Sequence, residues 1–433
     1  MLRQRLQLAL VHVAITITLV PIRSTLNRVM INDLLIPATV FALLAALPYA
    51  FSPIQVAIGS FSDRHPLLGL RRTPYIVIGL GLCVLGVMLA PRAAFLFEQS
   101  WWVGFFACLL VFGAWGMGFN FSTVSYFSLA SELSGEKGRS RTISVMFVLM
   151  VVGIILTSYA LSRMLVDYSP EALIRAFDVV GVAALALGLI GLLRLEPRAA
   201  GSAVTAGRES WGQLARVVSL NPQTRLFFIY LVLLLAAILG QDNLLEPFAA
   251  RAFNLSVEAT TSLTRIMSTG TLICLILAAW LERRMNKRRI VIIGSVGAAA
   301  GLLIIVAGGL IANKSIFYAG VTLLGLAIGL ATVSNLSLML DMTRAGQVGL
   351  FIGAWGMADA FARLVGDLLG GVVRDFVTLL TRSGVAGYLV VFGLEAVLLM
   401  ISLIVLRRID VGRFQAQGPE PSVIERVAIA GGL

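Results

Sequence analysis

Two carboxylates stand where an apolar run ends, within the stretch from Gly240 to Phe248. Asp242 and Glu246 are four residues apart, so on a helix they share one face. Pro247 disfavours helical geometry at Glu246, so we expect the apolar helix to end here. At the mouth of a membrane helix such carboxylates need partners, either the basic side chains of a gate or the polar edge of a ligand, with a coupled proton as a further role.

The composition identifies the class of protein that must position these carboxylates. Of the 433 residues, 58% are hydrophobic and 13% are charged, and the mean hydropathy is +0.93. Such a chain is an all-α polytopic membrane protein, in which each span needs about 20 apolar residues. The apolar runs predict twelve transmembrane helices, at residues 8–30, 35–60, 74–94, 103–130, 141–163, 174–194, 224–243, 259–281, 290–311, 315–340, 348–373 and 385–406.

The distribution of basic residues predicts the orientation. The net charge is +12, and with a cytoplasmic N-terminus 23 of the 34 Lys and Arg residues lie on the cytoplasmic side and 8 on the other. The remaining three, Arg23, Arg28 and Arg363, lie within spans. This bias is the positive-inside pattern, so we expect both termini in the cytoplasm. The basic charge then faces anionic lipid headgroups rather than nucleic acid.

A polar interruption at residues 196–223 divides the chain into two halves. The sequence TVSYFSL precedes Glu132 in the fourth predicted helix, and TVSNLSL precedes Asp341 in the tenth at the same spacing. Two parallel six-helix repeats are the plan of the major facilitator fold, with a site expected where the halves meet. We therefore expect six-helix bundles at 1–196 and 224–408, a cytoplasmic linker at 197–223 and a mobile cytoplasmic tail at 409–433.

The loop after the second predicted helix carries a further signal. It reads GSFSDR from Gly59 to Arg64, followed by Arg71 and Arg72, which resembles the G-x-x-x-D-R…R-R loop of major facilitator transporters. The glycine lets helices approach closely, and the arginines can pair with carboxylates that end other helices. We expect a cytoplasmic gate formed by Gly59, Asp63, Arg64, Arg71, Arg72, Glu132 and Asp341. The alternative is a solvated basic loop that only sets topology.

The partners of the two carboxylates are sought on the first helix. The repeat makes helices 1 and 7 equivalent and places them opposite each other across the central axis. Polar residues in their outer parts form one predicted group: Arg23, Asn27, Arg28, Gln241, Asp242 and Glu246. Unpaired charges there would cost at least about 2.5 kcal/mol each. We therefore predict ion pairs from Arg23 and Arg28 to Asp242 and Glu246, in an outer gate, a ligand-binding site or both.

A second set of charges lies within the predicted spans of the second half. Asp359, Arg363 and Asp367 are spaced by four on helix 11 and so share one face, while Glu395 lies in the middle of helix 12. Arg363 with Asp359 or Glu395 is either a purely structural pair or part of a functional site.

The sequence offers little for catalysis or metal binding. His12 shares a helix face with Arg23 and Asn27. It is either a hydrogen-bonded helix histidine or an axial ligand to the magnesium of a tetrapyrrole. The sequence shows no His/Cys/carboxylate metal cluster, P-loop, nucleotide fingerprint or nucleophile–base group. We expect no enzymatic activity, no required cofactor and no ATP-driven transport.

Five short stretches carry a narrower resemblance. They are Leu26 to Ile31; Ser62-Asp63 with Leu68 to Tyr75; Gln241-Asp242 with Leu244 to Phe248; Ser256-Val257 with Ala259 to Thr261; and Gly353 to Gly356. Together they resemble the PucC/LhaA family of the major facilitator superfamily, also called the bacteriochlorophyll-delivery family, over the chain from helix 1 to about helix 11. The chain departs from the family pattern after Asp63, where it has Arg64, His65 and Pro66.

The resemblance implies a light-harvesting antenna assembly factor in the photosynthetic cytoplasmic membrane of a bacterium, which binds and delivers or moves (bacterio)chlorophyll as cargo. It implies light-harvesting polypeptides and the pigment-synthesis and membrane-insertion machinery as partners. The aromatics that suit an apolar ligand, or simply pack between helices, are Trp115, Phe119, Phe121, Tyr126, Trp355 and Phe361. Two alternatives stay open: a proton-coupled secondary transporter of a small amphiphile, and a pigment-free scaffold for antenna assembly.

Overall fold

Backbone polar groups find no water in hydrocarbon, so a chain this apolar must satisfy them within helices. The computed structural model is built accordingly, and it describes residues 2–54, 58, 61–62, 65–67, 69–197, 222–282, 284–341 and 348–409. In these residues the only β pairing is an isolated bridge between Leu67 and Leu70. The predicted linker at 197–223 and the predicted tail at 409–433 lie almost wholly outside the described residues.

The main helices of the described residues are numbered α1 to α12 in chain order. They are α1 (Leu2–Asp33), α2 (Ala38–Ala45 and Leu47–Ala50), α3 (Thr73–Phe95), α4 (Trp101–Gly135), α5 (Arg141–Met164), α6 (Pro170–Leu192), α7 (Pro222–Leu239), α8 (Val257–Leu281), α9 (Lys287–Ile311), α10 (Lys314–Asp341), α11 (Val348–Thr381) and α12 (Ala386–Arg407). Ten helices in the described residues are long and apolar enough to cross a membrane. The prediction of an all-helical polytopic membrane protein is confirmed, and twelve spans are consistent with it.

Helix α1 is wound irregularly in its second half. It is α-helical over Leu2–Thr16 and turns π-helical over Pro21–Leu26 and again over Val29–Asp33. Pro21 supplies a reason, because proline has no N–H to donate and its ring clashes with the carbonyl four residues back. A π-helical turn widens the helix and changes which side chains face its neighbours, and such turns are frequent at functional sites.

Two further helices differ from the predictions. The second was predicted to run unbroken over 35–60, but α2 breaks at Ala46, just before Pro48, which opens its next short segment. The seventh was predicted at 224–243, with helical geometry ending before Pro247. Instead α7 ends at Leu239, a 3₁₀ turn covers Gly240–Asn243, and a short helix covers Leu245–Phe253 with Pro247 in its first turn. Proline fits a first turn because the N–H groups there have no helical acceptor.

The packing repeats between the halves. Helix α3 packs against α4 and α6, and α9 packs against α10 and α12 in the same relation. Helix α1 contacts α6, and α7 contacts α12. The two halves meet where α2 packs against α11 and where α8 packs against the α4–α5 segment. We call this interface the seam, the side on which α1 begins at Leu2 the near side, and the side on which it ends at Asp33 the far side.

Small residues set the spacing between helices, as is usual in membranes. A Cβ placed on Gly325 of α10 would come within 2.5 Å of the backbone oxygen of Met267 on α8. A Cβ on Gly81 of α3 would meet no atom within 4 Å. Alanine substitutions at these two glycines therefore distinguish the effect of close helix packing on stability from the effect of intrinsic helix propensity.

Gly325→Ala should destabilise the protein by about 1–3 kcal/mol, because the added methyl group overpacks the α8–α10 contact. Gly81→Ala is the matched control and should leave stability unchanged or slightly raised, since alanine is the better helix former. The thermal unfolding midpoint of each purified variant in detergent measures both effects. Equal midpoints for the two variants would contradict this account of the packing.

Candidate functional site

Arg23 is the centre of a buried polar group at the far-side half of the seam. Its guanidinium contacts the carboxylate of Asp367 on α11 in an ion pair. Its Nε donates to Asn243 Oδ1 at 3.2 Å and its Nη1 to the hydroxyl of Tyr49 at 3.1 Å. The arginine thus joins α1 and α2 of the first half to the α7 turn and α11 of the second. All four side chains are buried.

The predicted ion pairs from Arg23 and Arg28 to Asp242 and Glu246 are wrong in their partners. Glu246 instead accepts hydrogen bonds from Ser24 at 2.5 Å and from Thr264 at 2.7 Å through the same oxygen. The π-helical turn places Ser24 opposite Glu246, and the 3₁₀ turn of α7 brings Asn243 rather than Asp242 to Arg23. Helices 1 and 7 do face each other, but through residues offset from the predicted ones.

Arg28 and Asp242 find nearer partners. Arg28 pairs with Asp33 on its own helix, one π turn further along. Asp242 Oδ1 accepts from Gln241 Nε2 at 2.6 Å. It still lies close enough to Arg23 and Arg363 to interact with both electrostatically. Asp242 is therefore a half-buried member of the charge cluster that makes no ion pair with any described residue.

Asn27, the remaining predicted site residue on α1, binds the backbone of the 3₁₀ turn that follows α7. Asn27 Nδ2 donates to the carbonyl oxygen of Asn243 at 2.5 Å and to that of Arg23 at 3.2 Å. The 3₁₀ turn leaves carbonyl groups without helical donors, so this amide supplies one. Irregular backbone at membrane depth is tolerated where protein covers it in this way.

The predicted set on helices 11 and 12 joins the same region. Arg363 Nε donates to Asp359 Oδ2 at 3.1 Å across one turn of α11, and its guanidinium lies 5.5 Å from the Tyr49 ring centroid. Asp367 belongs to Arg23. Glu395 of α12 points toward Gly240, and its Oε2 is buried with no hydrogen-bond partner in the described structure. Glu395 is therefore not a partner of Arg363.

The cluster is rich in hydrogen-bond acceptors. Among the described residues, this region contains four carboxyl groups, those of Asp242, Asp359, Asp367 and Glu395, and two guanidinium groups, those of Arg23 and Arg363. Five buried oxygens have no partner among the described residues, against the unpartnered buried donor Asn243 Nδ2: Asn27 Oδ1, Gln241 Oε1, Glu246 Oε2, Asp367 Oδ1 and Glu395 Oε2. A buried acceptor without a donor costs free energy. Such a site favours a ligand edge that donates hydrogen bonds, a metal ion that takes oxygen ligands, or a proton, and disfavours an anion.

A second predicted group, the gate around the loop before α3, is described in part. The Arg72 guanidinium lies 2.9 Å from Glu132 and donates to Ser62 at 2.9 Å. Glu196 accepts from the backbone N–H groups of Arg71 and Thr73, each at 2.7 Å, and so caps α3. These contacts join α3, α4 and the end of α6, all in the first half. They stabilise that half and do not themselves bridge the seam.

Other predicted gate residues cannot be placed in this way. Gly59, Asp63 and Arg64 lie outside the described residues, and Asp341 is described only as the last residue of α10. The gate assignment therefore stays a prediction. The side chain of Trp355 is likewise outside the described part of the chain.

His12 lies in a closed pocket of α1, α4 and α5. Its Nδ1 is 2.6 Å from the Tyr126 hydroxyl and its Nε2 is 3.1 Å from the sulfur of Met150. Phe127 and Phe147 pack around the ring. Both nitrogens are engaged, which favours the hydrogen-bonded histidine over the pigment ligand.

The predicted ligand-facing aromatics do not form one surface. Trp115 is completely buried and donates to Thr18 at 3.3 Å, and Tyr126 packs against His12. Phe361 is 50% exposed. Trp115 and Tyr126 therefore pack between helices.

Several contributing residues were missed from the sequence. Tyr49, Ser24 and Asn243 are uncharged, so nothing in a search for charges finds them. Asp375 binds the start of α2, with its Oδ2 2.8 Å from the backbone nitrogen of Thr39. It was missed because helix 11 was predicted to end at 373, whereas α11 continues to Thr381.

Arg23→Gln should destabilise the protein by about 3 kcal/mol, since it leaves Asp367 buried without its cationic partner. Adding Asp367→Asn should recover part of the loss, because the uncompensated charge is then removed. Arg92→Gln is the control: it breaks the exposed pair with Asp178, whose atoms are 2.8 Å apart, and should change little. Thermal unfolding midpoints in detergent give the comparison. Additive losses in the double variant would contradict a direct pair.

Comparison with known proteins agrees with this architecture. A bacterial homologue of the human lysosomal transporter Spinster, in an inward-facing and unoccupied conformation, superposes with a TM-score of 0.73 at 14% identity, covering 97% of this chain and 98% of the other. Protein PucC of Rhodobacter capsulatus is 30% identical over 425 residues, 93% of this chain and 91% of that protein. The bacteriochlorophyll synthase 44.5 kDa chain of Rhodobacter capsulatus is 27% identical over 422 residues, 96% and 97% of the two chains.

The family described as PUCC protein matches residues 25–414. That match takes in the second π-helical turn of α1 at Val29–Asp33, the α7 turn and the charged face of α11. With the superposition on a transporter structure, it shows that this chain belongs to the PUCC protein family and is a multi-pass membrane protein with the major facilitator fold.

Proposed function

We propose that this protein is a light-harvesting antenna assembly factor that binds (bacterio)chlorophyll in the membrane and delivers or moves it. The observation that carries the proposal is the family match over residues 25–414. A relative of nearly equal length bears the name of a bacteriochlorophyll synthase chain. The family and the fold are those of transporter-type proteins rather than of enzymes, so we assign it pigment handling and no synthesis step.

The seam is the proposed place of binding. Two halves that meet along helices with irregular turns provide a site near the middle of a membrane protein. The unpartnered amide oxygens of Asn27 and Gln241 point to a ligand that needs oxygen atoms. Magnesium prefers oxygen ligands, and the central magnesium of a (bacterio)chlorophyll would meet that requirement. The apolar body of the pigment suits the hydrophobic walls of the helices.

The setting follows from the same proposal. The protein lies in the photosynthetic cytoplasmic membrane of a bacterium with both termini in the cytoplasm, so the near side is cytoplasmic. Its partners are the light-harvesting polypeptides, the pigment-synthesis and membrane-insertion machinery, and membrane lipids. The basic residues at the near-side ends of the helices support this orientation.

One observation favours a second function, proton-coupled transport of a small amphiphile. Glu395 is buried in the middle of α12, has no ion pair in the described structure and lies near Asp242 and Asp367. A buried carboxyl with no cation beside it is a place where a proton can bind and leave. Pigment delivery and proton coupling are separable by experiment.

Protein purified from a phototrophic host should carry bound (bacterio)chlorophyll, detected by its absorbance and by pigment extraction. Asp242→Asn should express equally well but retain several-fold less pigment, because it changes the charge and hydrogen bonding at the proposed site. Arg92→Gln, far from the seam, is the matched control and should retain pigment. A colourless preparation together with normal antenna assembly after gene deletion would overturn the proposal.

Proteoliposomes distinguish the transport function. If the protein handles pigment without proton coupling, an imposed pH gradient should produce no proton flux dependent on Glu395. Flux that Glu395→Gln abolishes, in a preparation without pigment, would favour the transporter instead. The readout is an internal pH-sensitive dye, with Glu171→Gln at the exposed start of α6 as the control substitution.

A further inference from the structure

A separate cavity opens at the far-side end of the seam. Its volume is about 460 Å³, and both halves contribute to its walls. The first half supplies the end of α1 and the segment that leads to Pro37. The second half supplies Arg251 from the short helix after α7, the last turns of α11 and the loop before α12. The acceptor-rich cluster around Arg23 does not contribute to it.

The charge of this cavity is basic because its one carboxylate is fully occupied. Asp375 accepts from the backbone nitrogens of Ala38 at 3.2 Å and Thr39 at 2.8 Å, from the Thr39 hydroxyl at 2.7 Å, and from Arg374 at 2.6 Å. These four bonds use its acceptor capacity at the start of α2. Little of its charge is left to neutralise Arg251.

Two arginines therefore offer donors to the cavity. Arg374 is mostly buried, lies over the Tyr388 ring at 4.7 Å, and keeps its Nε without a hydrogen-bond partner in the described structure. Arg251 makes no ion pair with any carboxylate among the described residues. The hydroxyl of Thr378, which also lines the cavity, has no partner there either. Guanidinium and hydroxyl donors together are suited to an oxyanion.

The rim of the cavity is apolar. Leu35 is 75% exposed, Phe376 59% and Leu379 77%. Helix α11 has 34 residues, so it is about 51 Å long and exceeds a hydrocarbon core of about 30 Å. Its last turns therefore lie at the level of lipid headgroups. Apolar side chains around cationic donors at this depth match a molecule with an acyl part and an anionic head.

We propose that this cavity binds the anionic head of an amphiphile from the far-side leaflet, a phosphate or a carboxylate held by Arg251 and Arg374 while its apolar part lies against Leu35, Phe376 and Leu379. Because its walls come from both halves, the ligand stabilises the closed far side. An anionic head that contacts both walls loses those contacts when the two halves separate. Ligand binding and closure of the far side of the seam are therefore linked.

Native mass spectrometry of the full-length protein in detergent micelles tests the site. Dioleoyl phosphatidylglycerol should bind in preference to dioleoyl phosphatidylcholine, with one tight copy per chain. Arg251→Gln should weaken that copy about tenfold, the expected loss for one charge-assisted contact. Lys314→Gln removes the same charge from an exposed position on the far side and should leave binding unchanged. Oleate and inorganic phosphate are titrated in parallel.

The parallel titrations distinguish the possible sources of the anion. Binding of phosphatidylglycerol with weak binding of oleate assigns the site to phospholipid, and the reverse assigns it to a carboxylated amphiphile. Displacement of the lipid by millimolar inorganic phosphate would overturn the proposal, because the apolar rim would then contribute nothing. Equal loss in the Arg251 and Lys314 variants, or no preference over phosphatidylcholine, would also overturn it. Arg251 is exposed, so its variant should fold.

Discussion

A buried guanidinium must be surrounded by acceptors, and in this protein Arg23 sets that requirement at the seam. The ion pair with Asp367 alone would fix a distance between two helices; the further bonds to Tyr49 and Asn243 fix four segments at once. Breaking such a pair from one side is costly because the other charge stays buried. The irregular turns of α1 and α7 make sense in this light. A straight α1 and a straight α7 would present different side chains, and the arginine would lose its acceptors.

The polar contacts across the seam are distributed unevenly. In the described residues, the hydrogen bonds that join the halves all lie toward the far side. They run from α1, α2 and α5 to the α7 turn, α8 and α11. One example is the bond that the Ser158 hydroxyl donates to the Thr261 carbonyl oxygen at 2.7 Å. The described near-side bonds of Arg72 to Glu132 and of Glu196 to the start of α3 lie within the first half. In folds of this kind a change of state rocks one half against the other around the central site. The far-side contacts are then what a change of state must break.

The fold followed from the sequence more completely than the site did. Apolar runs and the repeated TVS motif predicted helices and halves because hydrocarbon leaves the backbone few options. The charged members of the site were found because charge within a span is costly. The pairing of these charged residues was not predicted correctly. It depends on a π-helical turn at Pro21 and a 3₁₀ turn at Gly240, which rotate side chains away from ideal helix positions. The roles of Asp375 and Glu196 were missed for a related reason. Both accept hydrogen bonds from backbone N–H groups at helix starts, and the sequence alone does not show which distant segments pack beside those starts.

The two polar sites of the seam require opposite chemistry of a ligand. The cluster around Arg23 already has more carboxyl groups than guanidinium groups and several unpartnered oxygens, so an anionic head would be repelled there. The far-side cavity has unpartnered arginine donors and would attract an anionic head. An amphiphile that carries a negative head can therefore occupy the rim but should not pass inward past Asp367 and Asp242. Any cargo held at the centre must present a neutral or electron-accepting polar group. If both proposed sites bind ligands, their order along the seam selects amphiphiles by the charge of the polar end: the far-side cavity favours an anionic head and the cluster around Arg23 disfavours one.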